Sequence, residues 1–487
     1  MAPRPRSGRQ SAARRERQDT PAGSRRRMIA GERQRHPSRR ETPAPMAHIA
    51  RVLVVMQDPR AAQQVMDGLR AQNMFLFSAR TGAEGLRLSR QLLTDVIIID
   101  DRLPDGDGCD FVDMMRNDPD TQHIPVLMIG TQASSALRRR SLSVGVDELL
   151  SGGINLGFLA ARMAKLVRLG IMQAELRRRT ATARSFRVEL DKRRPTANDG
   201  PPTLLLAAQM GEDLDDVAEL LQSRYRLLRT AGAAEAAQLL HEQSVDTLIL
   251  SFDGGNSEDW LGLALHVRDT PALYDVPVLA VGHATVAPDA ATLLKTGIDD
   301  LIQRPYPPDE LHGRVLSALR RRRIRRRLTD LFTSLEAPST IDAETGAYRP
   351  EFLRVHLSRL VFEAAKWEKP LSIATVSYRN LSLLIERRGP AAARSVMSRA
   401  TETLKRLVRV EDMVARADDA TLVVVLPDTP GDRSMKALHK IAGSLATTDY
   451  GLGGLPTTPI WMQMGHATLE PSDTADSLLL RARQVLL

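Results

Sequence analysis

Arg409 and Asp412 stand three residues apart, just ahead of an apolar run, in RVEDMVARADDATLVVVLP (Arg409 to Pro427). A guanidinium fork can donate two parallel hydrogen bonds to a planar acceptor edge, and a carboxylate can accept from a neighbouring donor. Arg406 and Arg416 flank the pair as further cations. The bland alternative is a surface ion pair at a strand start. Asp418-Asp419-Ala420-Thr421-Leu422 then forms a turn before the next strand. It has no glycine to let backbone amides approach a ligand closely, and its two adjacent acids would repel an anion. Ala420 and Thr421 offer Mg²⁺ no charged oxygen. Far upstream, Asp100 ends the apolar run DVIIID. A strand-end carboxylate accepts a phosphoryl group only when a cation offsets the repulsion. Asp58 and Asp100 are the weak candidates for holding such a metal, and the alternative is a vestigial acid.

The elements that must position these residues repeat themselves. Segments DVIIID, IPVLMIG and VGVDELL match DTLILS, VPVLAVG and TGIDDLI at a shift of about 152 residues. Short buried β-branched runs alternate with amphipathic helical stretches, which argues a doubly wound parallel α/β sheet used twice. The expected domains are 47–170 and 202–318, joined by a helical linker over 171–201 that takes in the end of a long helix read over 156–193 and a Pro-, Gly- and Asn-rich break over 195–202. A helix over 308–336 leads to a third, α+β domain over 341–487. Its stretch 319–340 includes seven Arg between Arg320 and Arg327, broken only by Ile324. Such a run can face nucleic acid or a partner; the preferred expectation is a solvated helix whose Arg residues pair with acids of a dimer mate.

At 487 residues the chain has room for about three domains. Aromatic residues make up 4%, too few for base-stacking platforms. A single cysteine, Cys109, excludes an intrachain disulfide and fits a reducing cytoplasm. No apolar run reaches membrane-spanning length and no signal-peptide core is present. Residues 1–46 hold 13 Arg against four acids, whereas the remainder is balanced. This tail is expected to be disordered, or to lie upstream of a true start at Met46 or Met28. The His residues show no metal-ligand spacing, and Trp260, Trp367 and Trp461 read as packing residues.

The signature hairpin resembles that of the GGDEF family, whose fold makes cyclic di-GMP, and each repeat resembles a response-regulator receiver domain. The receiver–receiver–GGDEF order is similar to the PleD- and PopA-type response regulators, and the resemblance covers roughly residues 47–487. DAETGAYRPEFL (Asp342 to Leu353) opens the third domain much as the family does. The resemblance implies that Arg409 and Asp412 are the cyclic di-GMP site, helped by Arg406 and Arg416, with Lys436 and Lys440 placed to serve a second subunit. It also implies loss of catalysis. The Gly-Gly-Asp/Glu-Glu-Phe signature is replaced, the other metal carboxylate reads Ser377, and the guanine-contacting positions fall near Ile385 and Arg394. The chain stops inside the last helix, before the basic residues expected there.

In the first receiver the phosphoacceptor position is Asp100. The acid pair falls on Met56 and Gln57, the switch hydroxyl on Gly130 beside Thr131, and Lys-Pro on Gly152-Gly153. In the second, the acceptor position reads Ser251, the acids Ala208 and Gln209, and Arg304-Pro305 replaces Lys-Pro; this unit is expected to be an adaptor. The overall expectation is a cytoplasmic bacterial two-component effector, without enzymatic activity, requiring no cofactor and with Mg²⁺ doubtful. It would bind cyclic di-GMP and act as a homodimer on protein partners, adaptor or localisation factors. The resemblance extends this to cell-cycle control, regulated proteolysis or the cell pole. Nucleic acid is not an expected partner, nor is membrane insertion. The competing readings are a ligand-free scaffold and a divergent diguanylate cyclase.

Overall fold

The computed structural model describes residues 49–484, apart from 71, 132–133, 152–155, 190–199, 210, 255–256, 271, 284–292, 294–295 and 453–459. The expected tail, both candidate starts and Gly152-Gly153 lie outside the described residues.

The first domain runs β1 (Ala50–Val55), α1 (Pro59–Arg70), β2 (Met74–Ala79), α2 (Gly82–Gln91), β3 (Val96–Asp100), a small hairpin β4 (Arg102–Leu103) and β5 (Gly106–Asp107), α3 (Gly108–Asn117), β6 (Val126–Gly130), α4 (Ser135–Val144), β7 (Glu148–Ser151) and α5 (Leu156–Ser185). Its sheet is parallel in the order β2-β1-β3-β6-β7. β1 is buried along its whole length, as a strand covered on both faces must be. Helix α1 turns Ala62, Val65 and Leu69 inward, an i, i+3, i+7 stripe. Gly108 admits the close return of the chain, because a Cβ there would stand 2.1 Å from the Asp100 carbonyl oxygen.

The second domain repeats the plan with β8 (Thr203–Ala207), α6 (Asp215–Leu221), β9 (Arg226–Thr230), α7 (Ala233–Glu242), β10 (Thr247–Ser251), α8 (Ser257–Asp269), β11 (Val278–His283), β12 (Asp300–Arg304) and α9 (Pro308–Ser334). Strand order is β9-β8-β10-β11-β12. The repeat reaches side chains. Arg116 meets Asp147 at 2.9 Å and the Gly145 carbonyl; Arg268 meets Asp299 at 2.5 Å and the Gly297 carbonyl.

The third domain comprises α10 (Pro350–Trp367), β13 (Leu371–Tyr378), α11 (Leu381–Arg388), α12 (Pro390–Leu407), β14 (Met413–Asp418), β15 (Thr421–Pro427), α13 (Gly431–Ala446), β16 (Met462–Thr468) and α14 (Ala475–Gln484), with an antiparallel sheet β14-β15-β13-β16. One apolar core joins Leu169, Met172 and Leu176 of α5 and Phe332 of α9 to Phe352, Leu357, Val423 and Leu478 of this domain. Helix α5 is therefore a shared wall rather than a bare connector.

For five of the seven Arg residues in the run of α9 the structure corrects the expectation, because their partners are in the same chain, while Arg323 and Arg327 are exposed. Arg321 pairs with Glu148, Arg320 reaches the Leu142 carbonyl at 3.3 Å, Arg325 meets Asp275 at 2.9 Å, and Arg322 and Arg326 both meet Asp246 at 3.4 Å. The helix staples the first domain to the second because acids from both converge on it. Trp461 is likewise corrected, being 62% exposed, whereas Trp260 is buried and Trp367 covers the Arg51 guanidinium at 4.9 Å.

Candidate functional site

Strands β14 and β15 pair antiparallel, with a register shift between Arg416 and Asp418 that makes the turn irregular. The turn neutralises itself. Arg416 donates to Asp419 at 2.6 Å, to the Asp418 carbonyl at 3.1 Å and to Asp342 at 3.3 Å. Asp418 accepts from Arg483 of α14 at 2.8 Å and from the Ala420 N–H at 3.1 Å. Beneath the turn lies an open cleft of about 330 Å³, lined by Thr375, Ser377, Asp418, Thr421, Gln463 and Arg483 among others. Ser377 and Thr421 are register partners across β13 and β15, and their hydroxyls are hydrogen-bonded at 3.1 Å. Arg483 was missed by sequence reasoning, which expected the last helix to end before supplying a basic group. The alternation of buried Leu478 and Ala482 along α14 could have marked Arg483 as pointing out of the core.

The Arg409 N–H donates to Asp412 Oδ2 at 2.9 Å, and the Asp412 N–H returns to the Arg409 carbonyl at 3.0 Å. This closes a tight turn at the head of β14. The Arg409 side chain is exposed, and its guanidinium has no hydrogen-bond partner among the described residues. Asp412 is only 8% exposed. Burial, then the neighbouring Glu411, pushes its carboxyl up from the usual range, against the pull of Arg409. Arg179 of α5 donates to the carbonyls of Glu411 at 2.7 Å and Asp412 at 3.3 Å, so the first domain's last helix holds this turn from behind. Arg416 is committed at the other end of β14, and Arg406 pairs with Glu402 on the surface. The structure thus joins Arg409 with Asp412 and separates both from Arg416. Lys436 and Lys440 lie on the exposed face of α13. Ile385 is exposed, and Arg394 stands 3.8 Å from Glu344.

Behind the turn, Glu175 joins His356 at 2.8 Å and Arg179 at 3.0 Å in full burial. Burial works against ionisation, but His356, Arg179 and Arg178 outweigh it and hold the Glu175 carboxyl at about 2.

In the first domain Asp100 closes β3, and its carboxyl is raised to about 6 by burial, then by Asp101 and Asp58, against a hydrogen bond from the Gln57 backbone. Asp58 acts as a helix cap, accepting the Arg60 N–H at 2.9 Å ahead of α1. Thr131 donates to Asp101 at 3.1 Å, not to Asp100. Among the described residues no three His, Cys, Asp or Glu side chains converge on a metal position.

In the second domain Ser251 is wholly buried. Arg304 spans Asp216, at 2.5 and 2.7 Å, and Asp253 at 3.0 Å, filling the end of the sheet with its own ion pairs. Among the described residues no helix is long and apolar enough to cross a membrane.

Comparison with known proteins bears on the first and third domains. Residues 52–163 match the response regulator receiver domain family, and residues 339–487 match the diguanylate cyclase, GGDEF domain family. The response regulator PleD of Caulobacter vibrioides is 27% identical over 440 residues, spanning 89% of this chain and 95% of that protein. The KDP operon transcriptional regulatory protein KdpE of Escherichia coli is 29% identical over 117 residues, covering 24% of this chain and 51% of that protein. Among solved structures, the GGDEF domain of DgcB from Caulobacter crescentus in complex with c-di-GMP is 16% identical, with a TM-score of 0.28, covering 30% of this chain and 88% of that one.

Proposed function

In this response regulator, with its receiver domain over residues 52–163 and its GGDEF domain over residues 339–487, we propose that the third domain binds cyclic di-GMP without turning over GTP and signals through protein partners. The observation that carries the non-catalytic half is the Ser377–Thr421 hydroxyl pair at 3.1 Å. Two hydroxyls bonded to each other stand where the resemblance puts metal carboxylates, and neutral oxygens hold Mg²⁺ poorly. The turn's remaining acids are spent on Arg416 and Arg483. The binding half rests on the exposed Arg409 side chain, whose guanidinium has no hydrogen-bond partner among the described residues, at the same turn as Asp412, a fork and an acceptor suited to a guanine edge. Adaptors for regulated proteolysis or a polar localisation factor are the partner classes the PopA-type resemblance suggests.

A ligand-free scaffold is the second reading, favoured by the burial of Asp412 and by its use as the acceptor for the Arg409 N–H. Calorimetric titration of cyclic di-GMP into the full chain and into Arg409→Ala separates the two, with GTP turnover in Mg²⁺ assayed in parallel. Binding of about −8 kcal/mol or better, lost in the variant, is expected. No binding to the intact chain establishes the scaffold, and clear turnover of GTP overturns the non-catalytic assignment.

A further inference from the structure

His241 and His266 play no part in the site above. His241 lies in the last turn of α7 and His266 in the last turn of α8. Their Nε2 atoms are 3.3 Å apart on the surface, with ring planes at 66°. Two imidazole nitrogens bound to one tetrahedral zinc, each at about 2.0–2.1 Å, stand about 3.3–3.4 Å from each other. The pair therefore already has the nitrogen separation that a shared ion requires.

Its surroundings favour a cation as well. Both helices end here, and a helix C-terminus presents unpaired carbonyls and the negative end of its dipole. The frame is firm, because Ala236 and Leu240 of α7 and Leu263 and Val267 of α8 belong to one buried core.

We propose that His241 and His266 form a binding site for a borderline-soft divalent transition cation, Zn²⁺ in the first instance. Without metal, one neutral ring donates Nε2–H to the other. With metal, the donor ring carries its proton on Nδ1, so that both Nε2 lone pairs face the ion. Among the described residues no third His, Cys or carboxylate converges, so water takes the remaining positions. Such a site is exchangeable, unlike a closed four-ligand zinc centre. A donor set of imidazole selects zinc, nickel and copper over magnesium and calcium. The bound ion ties α7 to α8 on a face of the second domain.

The test is calorimetric titration of zinc chloride into the full chain and into His241→Ala, His266→Ala, the double variant and His439→Ala, an exposed histidine on α13. Magnesium chloride serves as the comparison salt. The wild-type chain should bind one more zinc equivalent than the double variant. Each single variant should bind that equivalent about ten-fold more weakly or worse. His439→Ala should match wild type, and magnesium should give no such step. Coincident zinc isotherms for wild type and double variant, or wild-type affinity in either single variant, overturn the site.

Discussion

Lys369 Nζ donates to Asp95 Oδ1 at 2.8 Å, with both side chains almost wholly buried. Lys369 precedes the central strand of the third domain, and Asp95 precedes β3 of the first, the strand that ends at Asp100. The other Asp95 oxygen accepts the Arg51 N–H at 2.8 Å, and the Arg51 guanidinium lies between Phe75 and Trp367. Gly170 lets α5 approach the same point, since a Cβ there would lie 2.4 Å from the Asp95 carbonyl oxygen. The receiver and GGDEF domains are thus clasped at the end of the sheet opposite Asp100.

Lys369→Met leaves Asp95 and Asp428 buried without their shared cation. Removing one partner of a buried pair costs about 3–5 kcal/mol, so the urea midpoint should fall well below that of wild type. Lys440→Met, on an exposed face, should shift stability by less than about 0.5 kcal/mol. Equal midpoints for the two variants would remove the clasp from the account of stability.

Asp100 predicts a pH dependence. Its carboxyl titrates near 6 in the folded chain, above the ordinary carboxylate value, so folding takes up a proton between these limits. The stability contributed by protonated Asp100 is full below about pH 4 and is lost as pH rises through about 6. Asp100→Asn should therefore be more stable than wild type by on the order of 1–3 kcal/mol at pH 8 and show no such gain at pH 4. Unfolding curves at both pH values decide it, and a gain of equal size at each would contradict the assignment.

Arg321 and Glu148 form a part-buried pair between α9 and the first domain, whereas Arg139 and Asp309 meet at 3.0 Å on the open surface. Double-mutant cycles should give about 1–3 kcal/mol of coupling for the first pair and about 0.2–1 kcal/mol for the second. Raising the salt concentration should erase the second and leave most of the first, because buried charges are screened less.

Arg409→Ala should leave stability within about 0.5 kcal/mol of wild type, since the side chain is exposed. Arg179→Ala, which removes one of the cations on the buried Glu175 and the side-chain donor to the Glu411 and Asp412 carbonyls, should cost about 3–5 kcal/mol. Thermal unfolding beside the cyclic di-GMP titration distinguishes a lost ligand contact from a loosened fold. An unstable Arg409→Ala would deprive the binding result of its meaning.

The residue pattern alone determined much of this protein. Apolar β-branched runs bounded by helical stretches dictate strands wherever they occur, so the parallel sheets and the repeated plan were legible in DVIIID and DTLILS. The turn at Asp419-Ala420 was legible too, because it lies between two apolar runs that form strands. Partner choice was not. The same arginine run of α9 can face solvent, nucleic acid or acids of any chain, and only the docking of two domains around it selected Glu148, Asp246 and Asp275. Asp412 reads as an open acceptor beside Arg409, yet α5 closes over its turn from the first domain. Lys369 and Asp95 carry no local signal of each other, and Arg483 reaches Asp418 only because α14 folds back along the sheet. Local pattern fixes which backbone state is cheapest, whereas the partner of a long charged side chain depends on which surfaces the tertiary fold buries together.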